Sequence, residues 1–375
     1  MAVVRITRAQ ALARRVVVQG LLRDAPSLPK LAVLDLGLQE TPVGAARQAA
    51  AARLSDAPEP GTQRGLTFAW SHRGAPHVHR AKDLPALAKA LWPATDADAA
   101  SRLDASASFA KNGTPALEGF ARVVDTIRSV VTEPMDKGAV SGAVTKELPP
   151  EYSRYCRVCG TTHVYELLLR LGCLPAGVEI VDLGPPLVLA PAPKPTTTPA
   201  EPSGTDALAR TFLHLLGPAT PAELAKYIGT SQREVRRAWP EADVTEADVD
   251  GAKAWVLSSD VEALRKQKAV DVVRFLPPSD TWVQDRNRAF VVPDAAFRKQ
   301  VWPILAPPGV LLVDGEVAAL WRTKQATKGA RTKLTINLVE VHKVPAAVRK
   351  AAEAEAERVA AARSATDVVL QWSSG

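Results

Sequence analysis

The sequence predicts an α+β chain built of tandem winged-helix (helix-turn-helix) units, with a β-rich module at the C-terminal end. Three observations predict it. Helical runs pass into a two-stranded pattern between Ala9 and His79, the same order returns once before a helix-turn-helix pattern, and short strand-like runs dominate beyond Val270.

In the first unit, residues 1–92, apolar residues recur at helical spacing in Ala9 to Leu22, Pro29 to Leu36 and Ala45 to Leu54. Leu66-Thr67-Phe68-Ala69-Trp70 then alternates with strand period, and Gly74 and Pro76 supply a turn into a second strand around His77 to His79. Helices followed by a hairpin describe a winged helix. In residues 93–190, Pro115 to Thr132, Lys137 to Thr145 and Tyr165 to Leu174 read as helices, with strands at Glu179 to Leu183 and Leu187 to Leu189. Residues 191–204, rich in Pro, Thr and Ser, read as a linker.

The third unit, residues 205–265, carries the clearest local signals. Thr220 caps a helix that opens with Pro221, Ile228-Gly229-Thr230 gives a turn, and Ser231-Gln232-Arg233-Glu234 spells a capping box. In that box the serine oxygen accepts from the Glu234 amide, and the Glu234 carboxylate returns to the Ser231 amide. Pro240 ends the second helix. Residues 266–375 supply strand-like runs at Val272 to Leu276, Ala289 to Val292, Val310 to Val313, Val317 to Trp321 and Thr332 to Val341. A helix from about Pro345 to Ala362 packs on this module.

A hydrophobic share of 46% over 375 residues is ordinary for a globular chain of several domains. No run approaches the roughly 18 apolar residues that a spanning helix needs, and Met1-Ala2-Val3-Val4-Arg5-Ile6 lacks the pattern of an export signal. A cytoplasmic location is expected, with no membrane partner. The +7 formal charge and pI of about 9.4 favour an anionic partner. There is no P-loop, no G-x-G-x-x-G and no Ser-His-Asp pattern in a fitting context, so nucleotide hydrolysis and acyl transfer have no support. No cofactor is expected.

Clustered cations mark candidate contacts with phosphate. Arg233, Arg236 and Arg237 lie on the second helix of the helix-turn-helix pattern, and Lys324, Lys328, Arg331 and Lys333 lie in or beside a hairpin. His72, Arg73, His77, His79 and Arg80 flank the expected wing of the first unit, where they either enter the minor groove or touch backbone phosphate. Each group also has a plainer reading as a solvated face of a structural domain.

Cys156-Arg157-Val158-Cys159-Gly160 with His163 has the spacing of a half zinc site, but a fourth ligand is not apparent. If Thr162 to Leu174 is one helix, Cys173 stands roughly 15 Å along its axis from His163. The preferred expectation is therefore two buried thiols, a helix-start histidine and no metal.

Leu36-Gly37-Leu38-Gln39-Glu40-Thr41-Pro42, followed by Ala45-Ala46-Arg47, resembles the signature of the AlkZ-like winged-helix DNA glycosylases. Further segments are similar to that family in the expected order. They are Arg73-Gly74-Ala75-Pro76-His77-Val78-His79 with Asp83-Leu84-Pro85, Gly217-Pro218-Ala219-Thr220 with Ala222-Glu223-Leu224, Phe275-Leu276-Pro277-Pro278-Ser279-Asp280, and Val313-Asp314-Gly315-Glu316 with Leu320-Trp321-Arg322.

The resemblance implies a curved DNA-binding channel and hydrolysis of the bond between an alkylated base and its sugar, in double-stranded DNA, by a monomer associated with the nucleoid. It extends to bulky adducts and crosslinked bases. In the family a Gln-x-Gln or Gln-x-Asp element places the attacking water. Gln39 takes its first position, Thr41 its second, Glu40 is the nearest carboxylate, and Arg47 joins the DNA contacts. The departure at Thr41 is the main support for a rival from another class, a non-catalytic winged-helix regulator or architectural factor.

Overall fold

The computed structural model describes residues 3–56, 58–103, 106–194 and 197–374. Two residues of the expected linker, 195 and 196, lie outside the described residues. The chain divides into two compact units that do not follow its order. One comprises Met1–Gln63, Arg210–Glu223 and Pro240–Gly375, and the other Arg64–Ala209 and Leu224–Trp239.

The first unit opens with strand Val4–Ile6 and helix Arg8–Val18. Thr7 caps this helix in a capping box: its hydroxyl accepts from the Gln10 amide at 3.1 Å, and the Gln10 side chain accepts from the Thr7 amide at 2.9 Å. The run from Pro29 to Leu36 is not a single α-helix but two 3-10 turns, Leu28–Lys30 and Ala32–Asp35. The reason is apolar density: Leu28, Leu31, Val33, Leu34 and Leu36 are all buried, more than one helical stripe can turn inward.

Val273–Leu276, Gly309–Val313, Glu316–Lys328 and Arg331–Glu340 form an antiparallel sheet in that order, and Asp367–Ser374 adds a parallel edge strand beside Arg331–Glu340. Helix Ala346–Ala362 makes the crossover and lays Ala352, Ala356 and Val359 on one sheet face, against Leu311, Trp321, Leu334 and Ile336. The other face, with Leu312 and Leu320, meets Leu12, Val16, Leu21 and Trp282.

Two expectations change here. Ala289 to Val292 belongs to a helical turn, Arg288–Val291, because the Asn287 side chain caps the Phe290 amide at 3.2 Å. The strand Asp367–Ser374 was not anticipated, since a lone edge strand after a helix lacks hairpin punctuation.

A second sheet pairs Val4–Ile6 in parallel with Ala247–Val249, within the hairpin Val244–Val249 and Ala252–Leu257. That hairpin turns on Asp250 and Gly251, both at positive φ (49° and 88°), the two-residue geometry that Asp-Gly favours.

In the second unit, hairpin Leu66–Trp70 and Pro76–Arg80 joins Val178–Asp182, then Val188–Pro191, then Met135–Asp136. Helices Ala116–Val130 and Glu166–Ala176 meet closely at Gly172, where a Cβ would stand 2.7 Å from the Ile127 Cδ1. Residues Ser153–Cys156 and Thr161–Val164 form a β-hairpin, which replaces the helix start expected near Thr162. The turn after helix Pro221–Ile228 is made by Gly229 at φ +85°, and helix Gln232–Arg237 follows. Only half of its capping box forms. The Ser231 hydroxyl accepts from the Glu234 amide at 3.3 Å, while the Glu234 carboxylate takes Arg237 at 2.8 Å. An adjacent cation outcompetes a second amide for that carboxylate.

Candidate active site

Gln39 ends a two-residue extended segment, Leu38–Gln39, and leads into the loop that precedes helix Ala45–Ala51. Its backbone carbonyl accepts from the Ser279 hydroxyl at 3.2 Å. Its side-chain Oε1 is buried and has no hydrogen-bond partner among the described residues.

Glu40 is 6% exposed and is held by the backbone of the same loop. One carboxylate oxygen accepts from the Gly44 amide and the other from the Ala46 amide at 2.7 Å, so the side chain caps the helix that follows. Burial pushes its carboxyl above the usual range, and the two amides act in the opposite sense. Thr41 is exposed, next to exposed Pro42 and Val43.

The support beneath this loop was missed from sequence. Arg53 and Asp280 are both buried and face each other through two bonds, at 2.6 and 2.8 Å, and Arg53 also donates to the Gln19 carbonyl at 2.8 Å. Asp280 adjoins Ser279, so the segment that grips the Gln39 carbonyl is itself anchored. A signal was present: an arginine set in the apolar run Ala49-Ala50-Ala51-Ala52-Arg53-Leu54 needs a buried acceptor.

The histidines of the first hairpin are not on its surface. His72, His77 and His79 are 0%, 2% and 2% exposed. The Ser71 hydroxyl bonds His77 Nδ1 and His79 Nε2, each at 2.9 Å, and the His72 ring lies 5.5 Å from that of His77 and 5.2 Å from that of Tyr227. Burial first, then the neighbouring His72, His79 and Arg73, hold the His77 imidazole well below its ordinary range. The expectation of imidazoles displayed on a wing is corrected, because alternation on this strand turns both rings inward. Arg73 and Arg80 are half-buried: Arg73 stacks 5.3 Å from the Tyr227 ring and Arg80 lies 3.6 Å from Asp83.

The model of the family described as DNA glycosylase AlkZ-like matches residues 35–362, a span that begins just before Gln39 and includes both halves of the Arg53–Asp280 anchor. The chain belongs to the AlkZ-like DNA glycosylase family. In fold, this AlkZ-like chain is similar to a Streptomyces sahachiroi protein, the DNA glycosylase AlkZ, with a TM-score of 0.74 at 18% sequence identity, over 98% of this chain and 100% of that one. None of the curated proteins compared matches it. A mixed α and β architecture and a DNA substrate follow from family and fold together.

The remaining candidates of the AlkZ-like chain divide by exposure. Arg233, Arg236 and Arg237 are exposed, and Arg237 lines a cleft of about 410 Å³ with Asp98, Arg102, Thr230 and Glu234. Lys324, Lys328, Arg331 and Lys333 are exposed on the hairpin Glu316–Lys328 and Arg331–Glu340, with Lys328 paired opposite Arg331. Arg47 is half-buried, 3.6 Å from Glu59 and 3.4 Å from the Ser364 hydroxyl. Cys159 is exposed and Cys156 half-buried, not the two buried thiols expected, while Cys173 is buried on helix Glu166–Ala176. Among the described residues no helix is long and apolar enough to cross a membrane.

Proposed function

We propose that this chain hydrolyses the N-glycosidic bond of N7- or N3-alkylated purines in duplex DNA, as a monomeric and monofunctional glycosylase. The observation that carries the reading is the Gln39 Oε1, a buried acceptor to which no described protein atom donates. An acceptor held in this way suits a water molecule that must be aimed, not merely bound.

As the bond from C1′ to the base nitrogen breaks, its electron pair goes to the base and positive charge grows on the sugar. The water oxygen bonds C1′ and its proton passes to solvent. An alkylated purine is cationic before cleavage and leaves neutral, so a weak catalytic group suffices. Glu40 accepts one amide on each carboxylate oxygen and contributes its charge. Thr41 orients through its hydroxyl but cannot neutralise charge.

Tandem winged helices at residues 1–92, 93–190 and 205–265, ahead of the module at 266–375 and lining a curved basic channel, belong to this proposal, as do bulky or crosslinked bases and association with the nucleoid. Helices followed by hairpins along the chain support it. DNA contact falls to the exposed cations, and the buried imidazoles hold their own hairpin.

The test is single-turnover release of N7-methylguanine from a duplex. Gln39→Ala loses about 100-fold or more in rate, keeps DNA binding, and the wild-type chain leaves abasic sites without a borohydride-trapped adduct. Tight, salt-sensitive binding without base release would move the assignment to the non-catalytic rival. Sedimentation at several concentrations gives a single species of 40.0 kDa for the monomer.

A further inference from the structure

The hairpin Ser153–Cys156 and Thr161–Val164 carries a group of side chains that the glycosylase reading leaves unused. Cys156 pairs directly with Thr161, and His163 lies two residues further on the same strand. Because side chains alternate across a strand, Cys156 and His163 project from one face of the hairpin. Cys159 comes from the turn, where Gly160 takes φ +66° and its amide bonds the Cys156 carbonyl at 2.9 Å. The fold of this turn brings Cys159 back over Cys156. The ligand atoms of Cys156, Cys159 and His163 all lie within 4.8 Å of one another.

We propose that Cys156, Cys159 and His163 bind one divalent cation of the zinc type, through two thiolates and the Nε2 of the imidazole, with a solvent molecule in the fourth position. A tetrahedral zinc with bonds of about 2.3 Å to sulfur and 2.0 Å to nitrogen holds its ligand atoms about 3.5–3.8 Å apart, so the group needs to close by about an ångström.

A further observation fits. His163 Nδ1 lies 2.7 Å from the Val164 carbonyl. A carbonyl only accepts, so Nδ1 carries the proton and Nε2 keeps the lone pair, the arrangement that a backbone acceptor imposes on metal-binding histidines. Soft sulfur with one imidazole selects zinc over magnesium or calcium, which take oxygen. The site is at the surface and open to entry, with Cys159 exposed and Val158 97% exposed. Cys173, buried within its helix, takes no part.

The test is anaerobic titration of the metal-free full chain with cobalt(II). One equivalent per chain raises a thiolate-to-cobalt charge-transfer band and four-coordinate visible bands, and zinc(II) bleaches both. Cys156→Ser and Cys159→Ser abolish the charge-transfer band, His163→Ala shifts the visible bands, and Cys173→Ser changes neither. Melting of the metal-free variants checks folding, and zinc raises the melting temperature of the wild type but not of Cys159→Ser, whose side chain lies on an exposed turn. Absence of the band in the reduced wild type, its survival in Cys159→Ser, or its loss in Cys173→Ser overturns the assignment. The outcome is independent of base release and of Gln39.

Discussion

Gln39 and Glu40 are neighbours in sequence with opposite assignments in space. The glutamine keeps a buried acceptor without a donor among the described residues, while the carboxylate is held by the first amides of the next helix. The charge expected to assist at the site is thus also the charge that orders the loop. Arg53 and Asp280 act on the same loop from below. With both members buried, removing one leaves an uncompensated charge in the core, a loss of about 3–5 kcal/mol. His77 yields a prediction at this scale. Its pKa in the folded chain is well below that of an unfolded histidine, about 6.5. The unfolded state therefore binds the extra proton, and stability falls as pH drops below that value, by at most about 1.4 kcal/mol per pH unit. Urea unfolding between pH 7 and 5 shows this slope in the wild type and a shallower one in His77→Gln.

Elements differ in how much of them was legible. Helix Arg8–Val18 and the turn at Gly229 are set by caps and turn residues, which act over three or four positions, whereas the hairpin on Asp250 and Gly251 was missed although its turn pair is such a signal. The run Pro29 to Leu36 was misread because apolar residues there serve burial on several sides, which local periodicity does not report, and Ala289 to Val292 because the Asn287 side chain caps a helical turn there. The Cys156–Cys159 hairpin was misread for a related reason: its strands are short and its turn is specified by Gly160 alone. The cation-bearing hairpin was legible, and it carries a prediction. If Lys324, Lys328, Arg331 and Lys333 meet phosphates, replacing two of them with Gln lowers the slope of log affinity against log salt by about 1.8. Titration of a fluorescent duplex at several salt concentrations measures it, and an unchanged slope places the hairpin off the DNA.

At the scale of the whole molecule, the N-terminal segment does not complete its own core. Val4–Ile6 pairs with Ala247–Val249, Arg15 bonds Asp285 at 2.5 Å and the Gly217 carbonyl at 3.0 Å, and Arg53 meets Asp280. A fragment ending at Trp92 leaves Arg15 and Arg53 without their carboxylate partners and is expected to show no cooperative unfolding transition by circular dichroism, unlike the full chain. By itself the sequence determined the class of the fold, the family signature around Gln39, the basic surface hairpin and most helices and turns, since these rest on composition, spacing and local hydrogen bonding. Only the tertiary structure decided that the histidines face inward, that Glu40 is a helix cap, that Asp280 anchors the Gln39 loop and that two cysteines and a histidine converge. Asp280 and Arg53 are far apart in the chain, while the cap, the inward imidazoles and the thiol cluster depend on burial and on turn geometry that periodicity alone does not report.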